Sequence, residues 1–223
     1  MVRRLRQRVF TRLRNRIAAQ HLLWKSRRDY VVTAPGQDDL LVMAGVLDPV
    51  ATKVGAWLAG VMTTEVRAGE RWVDMGCGTG VVGLAMAQAG ARVTCVDVDA
   101  RCVANARETG RRGGVAIEAV ESDLFAGLAG AVDGVVYNAP FWPGEPVGRA
   151  FERAMYAGAE FEAIRRYRAE SAGIPRVLLA LSEAGARHGD ARIAFGASRV
   201  VRRERAEGEW LILLEAMRVS PSR

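Results

Sequence analysis

Two short stretches of this sequence combine residue types that can do chemistry. The first is Arg71-Trp-Val-Asp-Met-Gly-Cys-Gly-Thr-Gly80. An apolar run meets an aspartate, Asp74, then three glycines and a second apolar run. Gly76, Gly78 and Gly80 let a backbone turn tightly between strand and helix and approach a bound molecule closely, with Cys77 between them. Many nucleotide binders carry such a loop, so its neighbours must discriminate among them. A phosphate-gripping loop needs Gly-Lys-Ser/Thr, and no lysine is present here. The dinucleotide spacing G-x-G-x-x-G is met only with slippage, from Gly76 and Gly78 to Gly80 or Gly83. A carboxylate at position 74 repels a pyrophosphate and attracts an ammonium and an amide dipole.

The second stretch is Val135-Val-Tyr-Asn-Ala-Pro-Phe-Trp142. An amino group conjugated to a carbonyl or an aromatic ring is a poor nucleophile, because its lone pair is delocalised. A site helps by accepting its N–H bonds. The side-chain oxygen of Asn138 and the backbone carbonyl of Ala139 offer two acceptors. Pro140 fixes the turn. Phe141 can stack on a planar substrate or shape a channel. The same residues also make a plain turn with an aromatic plug. Trp142 is expected to pack.

Further acids end apolar runs. Asp97 lies beyond the glycines, where a carboxylate can accept both hydroxyls of a ribose, with Val98 beside it. Asp99 is the alternative there, or a cap for the next helix. Asp123, in Ser122-Asp-Leu-Phe125, can accept from an adenine amino group, with Leu124 lining the ring. Each acid could equally be a cap or turn former. Three of them at the carboxyl ends of adjacent strands coincide with the rim where α/β sheets bind ligands.

The elements needed to hold these groups are legible as alternating strands and helices. Val31 to Gly36 reads as a short strand or loop, and Asp38 to Leu47 and Thr52 to Met62 as helices. Strands are expected at Arg71 to Met75, Arg92 to Val98, Ala116 to Ser122, Val132 to Asn138, Arg176 to Leu181, Ala191 to Ala197 and Trp210 to Met217. Helices are expected at Val81 to Ala89, Ala100 to Thr109 and Phe151 to Ala172. This is an α/β chain with a mostly parallel seven-stranded sheet covered on both faces.

The set Asp74-Met-Gly-Cys-Gly-Thr-Gly80, Val96-Asp97 and Ser122-Asp123 resembles the class I S-adenosylmethionine-dependent methyltransferases, over residues 45 to 217. The resemblance implies a Rossmann-like sheet whose last strand inserts antiparallel. It implies that Asp74 and the glycines hold the methionine part of S-adenosylmethionine, a ligand with an ammonium and no phosphate. Asp97 would hold the ribose, and Asp123 the adenine. Asn138-Ala-Pro-Phe141 resembles the Asn-Pro-Pro-Tyr/Phe signature of enzymes that methylate planar nitrogen, such as release-factor glutamine methyltransferases and adenine-N6 or guanine-N2 enzymes. Gly45-Val-Leu-Asp-Pro49 with Thr52 resembles the segment preceding their domain. Ala139 departs from the usual proline; the carbonyl survives and local stiffness falls. Transfer to a nitrogen by direct displacement is the leading reading. Oxygen or carbon acceptors on a small metabolite, or a non-catalytic cofactor- or RNA-binding protein, are the alternatives.

Composition bounds the rest. The three cysteines, Cys77, Cys95 and Cys102, and the two histidines leave little for a metal cluster or a Ser-His-Asp triad. Unpaired cysteines, with neither a secretory signal nor a membrane-spanning run, suggest a reduced, cytoplasmic protein. Of 32 basic residues, ten fall within residues 1 to 28, which hold no acid; the remaining 22 meet 25 acidic residues. Leu5, Val9, Leu13 and Ile17 give that segment a helical stripe. It could pack on the domain, dock nucleic acid or a ribosome, lie on a membrane surface, or serve as a targeting peptide. The expected organisation is a basic helical extension over residues 1–44 and a catalytic domain over 45–223. The acceptor is either a small molecule or a translation-related protein or RNA.

Overall fold

The computed structural model describes residues 24–142, 144–145, 152–183, 191–206 and 208–217. The helical stripe expected at Leu5, Val9, Leu13 and Ile17 lies outside them. An antiparallel hairpin comes first, β1 (Tyr30–Ala34) and β2 (Gln37–Val42). The main sheet comprises β3 (Arg71–Met75), β4 (Arg92–Asp97), β5 (Glu118–Glu121), β6 (Gly134–Tyr137), β7 (Arg176–Ser182), β8 (Ser198–Ala206) and β9 (Glu209–Ala216). Its order is β5-β4-β3-β6-β7-β9-β8. The first five pair in parallel, and β9 runs antiparallel between β7 and β8. This is the seven-stranded, mostly parallel, Rossmann-like sheet with an antiparallel insertion.

Burial explains the central runs. Strands β6 and β7 are apolar at nearly every position because helices cover both faces. Helices α1 (Val54–Glu65), α2 (Val81–Gln88) and α3 (Ala100–Arg112) pack on one face, around Leu58, Met62, Met86, Val103 and Trp72. Helices α4 (Glu162–Glu170) and α5 (Ala191–Phe195) cover the other, around Ile164, Tyr167 and Phe195. Tyr167 is the polar exception in that second layer. Its hydroxyl donates to the carbonyls of Leu178, at 2.8 Å, and Val135, at 3.2 Å. It thereby ties α4 to adjacent strands β6 and β7.

Three expected elements differ. Asp38 to Leu47 is not a helix. Its Leu40 and Val42 alternate into the core while Gly36, at φ +80°, closes the turn to β1. Pairing with β1 overrides the local helical pattern. Ala191 to Ala197 is not the sixth strand. Ala191 and Phe195 are four apart and both fully buried, which a helix satisfies, and the sixth strand starts at Ser198. Phe151 to Ala172 is not one helix. A single 3₁₀ turn at Glu152–Ala154 precedes a break at Gly158 (φ +91°) and Phe161 (φ +59°), and α4 follows. The segment before α4 pairs instead with the Asn138 turn through bridges Trp142–Tyr156 and Gly144–Gly158.

Tyr167→Phe keeps the ring packing and removes one donor serving two strands. The expected loss of unfolding free energy is about 1 kcal/mol, measured by denaturant titration.

Candidate active site

The loops at the carboxyl ends of β3, β4 and β6 converge on one cleft of about 190 Å³. Gly76, Gly78 and Gly80 all take positive φ, at 60°, 53° and 79°. Two of them are also sterically obligatory. A Cβ on Gly76 would sit 2.7 Å from the Tyr137 ring, and one on Gly80 would sit 2.7 Å from the Ala106 backbone. At Gly78 a Cβ would meet nothing within 4 Å. That glycine is required for its φ, and its open side lines the cleft. Cys77 contributes backbone: its N–H donates to the Val96 carbonyl at 3.0 Å, while its buried thiol faces Cys95.

Two carboxylates, buried Asp74 and half-buried Asp97, hold the loop. Asp97 accepts from the Gly78 N–H and the Asp99 N–H, both at 3.0 Å, one on each oxygen. A carboxylate oxygen has a further lone pair, so both can still accept ribose hydroxyls. Asp74 is 2% exposed and accepts from the Gly83 N–H in the first turn of α2, at 2.9 Å. Burial raises the carboxyl of Asp74 to about 7, partly opposed by that bond and reinforced by nearby Asp97. Burial also raises Asp97, against the pull of its two backbone donors. A buried and a half-buried acid, with no basic side chain bonded to either among the described residues, fit a cationic ligand. S-adenosylmethionine satisfies that demand.

Next to this cleft a slot of about 160 Å³, at the end of β5, is lined by Val98, Leu124, Pro140, Tyr156 and Asp123. Val98 is 48% exposed on its rim, as an apolar surface awaiting a flat ring would be. Leu124 is held at φ +49° because the Ser122 hydroxyl donates to its carbonyl and accepts from the Gly127 N–H. Asp123 is more open: Arg166 donates to both of its oxygens, at 3.0 and 3.1 Å. Asp99 is the cap of α3, accepting from the Arg101 N–H. Arg101 holds its carboxyl below the usual range.

Asn138, Ala139, Pro140 and Phe141 line the same cleft as the glycine loop. Asn138 rests on α1: a Cβ on Gly55 would lie 3.7 Å from its Nδ2 and 2.8 Å from Pro49 Cβ. Pro49 belongs to the Gly45–Pro49 segment, whose turn is capped by Asp48 through the Val50 and Ala51 N–H groups. The opposite wall is Arg153, Ala154 and Met155. Phe141 is half-buried and packs against both core layers. Every predicted site residue except Gly80 borders the cleft or its adjoining slot; Gly80 packs against Ala106 behind the loop. Gly55, Tyr137, Arg153, Tyr156 and Arg166 were missed. Glycine loop spacing cannot find them, because α1, α4 and the segment around Arg153 to Tyr156 reach the site only through tertiary packing and pairing.

Residues 53–162 match the family model of the methyltransferase small domain. The match spans just under half of the chain and includes the glycine loop, Asp97, Asp123 and the Asn138 turn. The small-subunit ribosomal RNA methyltransferase C of Chromohalobacter salexigens is 46% identical over 74 residues, 33% of this chain and 22% of that protein. The release factor glutamine methyltransferase of Deinococcus radiodurans is 35% identical over 91 residues, 39% of this chain and 33% of the relative. The chain spans about a fifth to a quarter of the length of the first curated relatives that it matches. A T. thermophilus 16S ribosomal RNA N2-guanine methyltransferase, solved with cofactor and guanosine, superposes with a TM-score of 0.60 at 18% identity. The match covers 85% of this chain and 50% of that one, and it shows the shared fold.

The raised carboxyl of Asp74 fixes a sign. Its protonated form favours the fold, so that contribution is complete below the unfolded value near 3.8 and is lost as pH rises to about 7. Asp74→Asn keeps an acceptor for Gly83 and removes the buried charge. The variant should melt above the wild type at pH 8, with the gap narrowing towards pH 5, and bind S-adenosylmethionine more weakly. Thermal unfolding across pH and calorimetry check both parts.

Proposed function

We propose that the chain is an S-adenosylmethionine-dependent methyltransferase that transfers its methyl group to a planar or amine nitrogen by direct displacement. The observation that carries the reading is the Asn138-Ala-Pro-Phe141 turn, which borders the same cleft as the acid-clamped glycine loop. S-adenosylmethionine supplies an electrophilic methyl group on a sulfonium. Asp74 and the loop backbone at Gly76, Cys77, Gly78 and Gly80 bind the methionine end. Asp97 accepts the ribose hydroxyls, Val98 and Leu124 face the adenine, and Asp123 accepts its amino group while Arg166 holds the carboxylate.

On the acceptor side, Asn138 Oδ1 and the Ala139 carbonyl take the N–H bonds of the incoming amino group. That orients its lone pair and offsets the positive charge that develops on nitrogen. Pro140 and Phe141 set the turn and exclude water. No general base is needed within the described residues, because the proton becomes acidic once the nitrogen is alkylated.

The acceptor belongs to translation, either RNA or protein. Support comes from the relatives and from the N-terminal side of the cleft. Ser26 accepts from the N–H of Gly45, a cleft residue, at 2.9 Å. Lys25, Arg27 and Arg28 therefore lie beside the mouth, with Arg28 over the exposed ring of Trp24. The basic segment over residues 1–28 is then a docking arm, whereas the remainder of the extension expected at 1–44, ahead of the domain expected at 45–223, folds as the β1–β2 hairpin with Leu40 in the core. Among the described residues no helix is long and apolar enough to cross a membrane. A cytoplasmic setting goes with this reading, supported by the free cysteines.

Incubating a fractionated cell extract with enzyme and labelled cofactor reveals the acceptor and provides the assay. In it Asn138→Ala should lose methyl transfer about 100-fold or more, as for removal of one preorganised polar contact, while binding cofactor normally. Asp97→Ala should instead weaken cofactor binding. Wild-type transfer by Asn138→Ala rejects the assigned role.

A further inference from the structure

Helix α3 turns two polar side chains into the core. Asn105 and Thr109 are both fully buried, one helical turn apart, and neither lines the cleft. The Met43 N–H donates to Asn105 Oδ1 at 2.8 Å, and Asn105 Nδ2 donates to the Leu41 carbonyl at 2.9 Å. The end of β2 is thus bonded to α3 through one carboxamide. Asn105 Nδ2 also lies 3.5 Å from Thr109 Oγ1. Thr109 Oγ1 donates at 2.6 Å to the carbonyl of Thr79, the residue between Gly78 and Gly80. A continuous buried path therefore runs from the N-terminal hairpin to the loop that cradles the cofactor.

The chemistry of the path is informative. Burying an amide and a hydroxyl is costly unless each is bonded, and apolar residues of like volume would fill the same space without that demand. The loop itself has weak local preferences, since its glycines take left-handed conformations that water-exposed glycine leaves freely. It is pinned at Gly78 by Asp97 and at Gly83 by Asp74, both cleft residues. Thr109 supplies a further pin, on the carbonyl side and from behind. The same hairpin reaches the acceptor wall, where the Tyr30 hydroxyl donates to Asp48 Oδ2 at 3.0 Å.

We propose that Asn105 and Thr109 are positioning residues through which the β1–β2 hairpin sets the glycine loop for S-adenosylmethionine. They act through Thr79 and touch no ligand. Linkage makes the effect reciprocal: a cofactor that favours the pinned loop also favours the docked hairpin. The hairpin is consequently part of the cofactor site's framework, although it lies outside the matched domain at 53–162.

The test uses the full chain and S-adenosylhomocysteine, which binds without turnover. Thr109→Val removes the hydroxyl at nearly constant shape, and Thr109→Ser keeps it. Thr94→Val is the matched control, since Thr94 bonds Glu118 at an exposed position on β4. Calorimetry should give an affinity about five- to tenfold weaker for Thr109→Val, the size of one lost buried hydrogen bond. Thr109→Ser and Thr94→Val should stay within about twofold of the wild type. Hydrogen exchange supplies a readout that general destabilisation does not mimic. In the wild type, ligand should slow exchange in the peptide covering Leu40 to Gly45, which contains the Met43 amide. In Thr109→Val it should still slow the glycine loop but not that peptide. Unchanged affinity in Thr109→Val overturns the proposal. So does a wild-type Leu40 to Gly45 peptide indifferent to ligand, an outcome readable even if the valine variant fails to fold.

Discussion

The site depends on two carboxylates accepting backbone N–H groups, one from the glycine loop and one from the first turn of the helix that follows it. Asp74 reaches forward to Gly83 and Asp97 reaches across to Gly78, so a flexible sequence acquires one shape. The arrangement is electrostatically unfinished, because half-buried Asp97 sits near buried Asp74 and desolvation raises both. Fold stability alone would favour amides at these positions. Retaining acids suits a ligand that brings positive charge and takes its place among them.

The remaining architecture serves that loop. Parallel strands β3, β4 and β6 deliver Asp74, Asp97 and Asn138 to one edge of the sheet, because parallel pairing aligns their carboxyl ends. Close packing fixes the rest: Gly76 lies under the Tyr137 ring and Gly80 against the Ala106 backbone. A side chain at either position would push the loop off its strand or its helix. The antiparallel β9 closes the sheet beside β7, and Tyr167 stitches α4 to the layer behind the acceptor turn. Gly55 lets α1 approach Asn138 closely, so that helix and turn form one wall of the cleft.

Much of this was legible in the sequence where a single physical cause dominated. The strand at Arg71–Met75 and the loop that follows were readable because apolar runs buried on two faces and glycines with positive φ leave strong marks. Asp99 was readable as a cap through its place at the start of an amphipathic helix. The failures share a different cause. Leu40 and Val42 alternate only because β1 pairs with them, and Ala191 with Phe195 forms a helix only because Tyr167 offers a surface. The roof segment around Tyr156 pairs with Trp142 across a loop, which no local pattern announces. Arg166 reaches Asp123 from 43 residues away, so its part in the adenine slot had no local signal.

The acceptor turn and the cofactor loop differ in how strongly they are specified. The loop is clamped from several sides, whereas Asn138 is fixed mainly by packing against Gly55 and by Pro140. That difference fits a cofactor held in one pose and an acceptor delivered from outside, past the basic residues beside Gly45. The central claim is that a cation completes the two-acid site. It is tested most directly by calorimetry of S-adenosylmethionine binding between pH 6 and 7, in buffers of different ionisation heat. Asp74, at about 7 before binding, should lose its proton when the cation arrives. The account therefore predicts net proton release and tighter binding as pH rises across that window. Binding without proton exchange, at an affinity constant from pH 6 to 7, would contradict it.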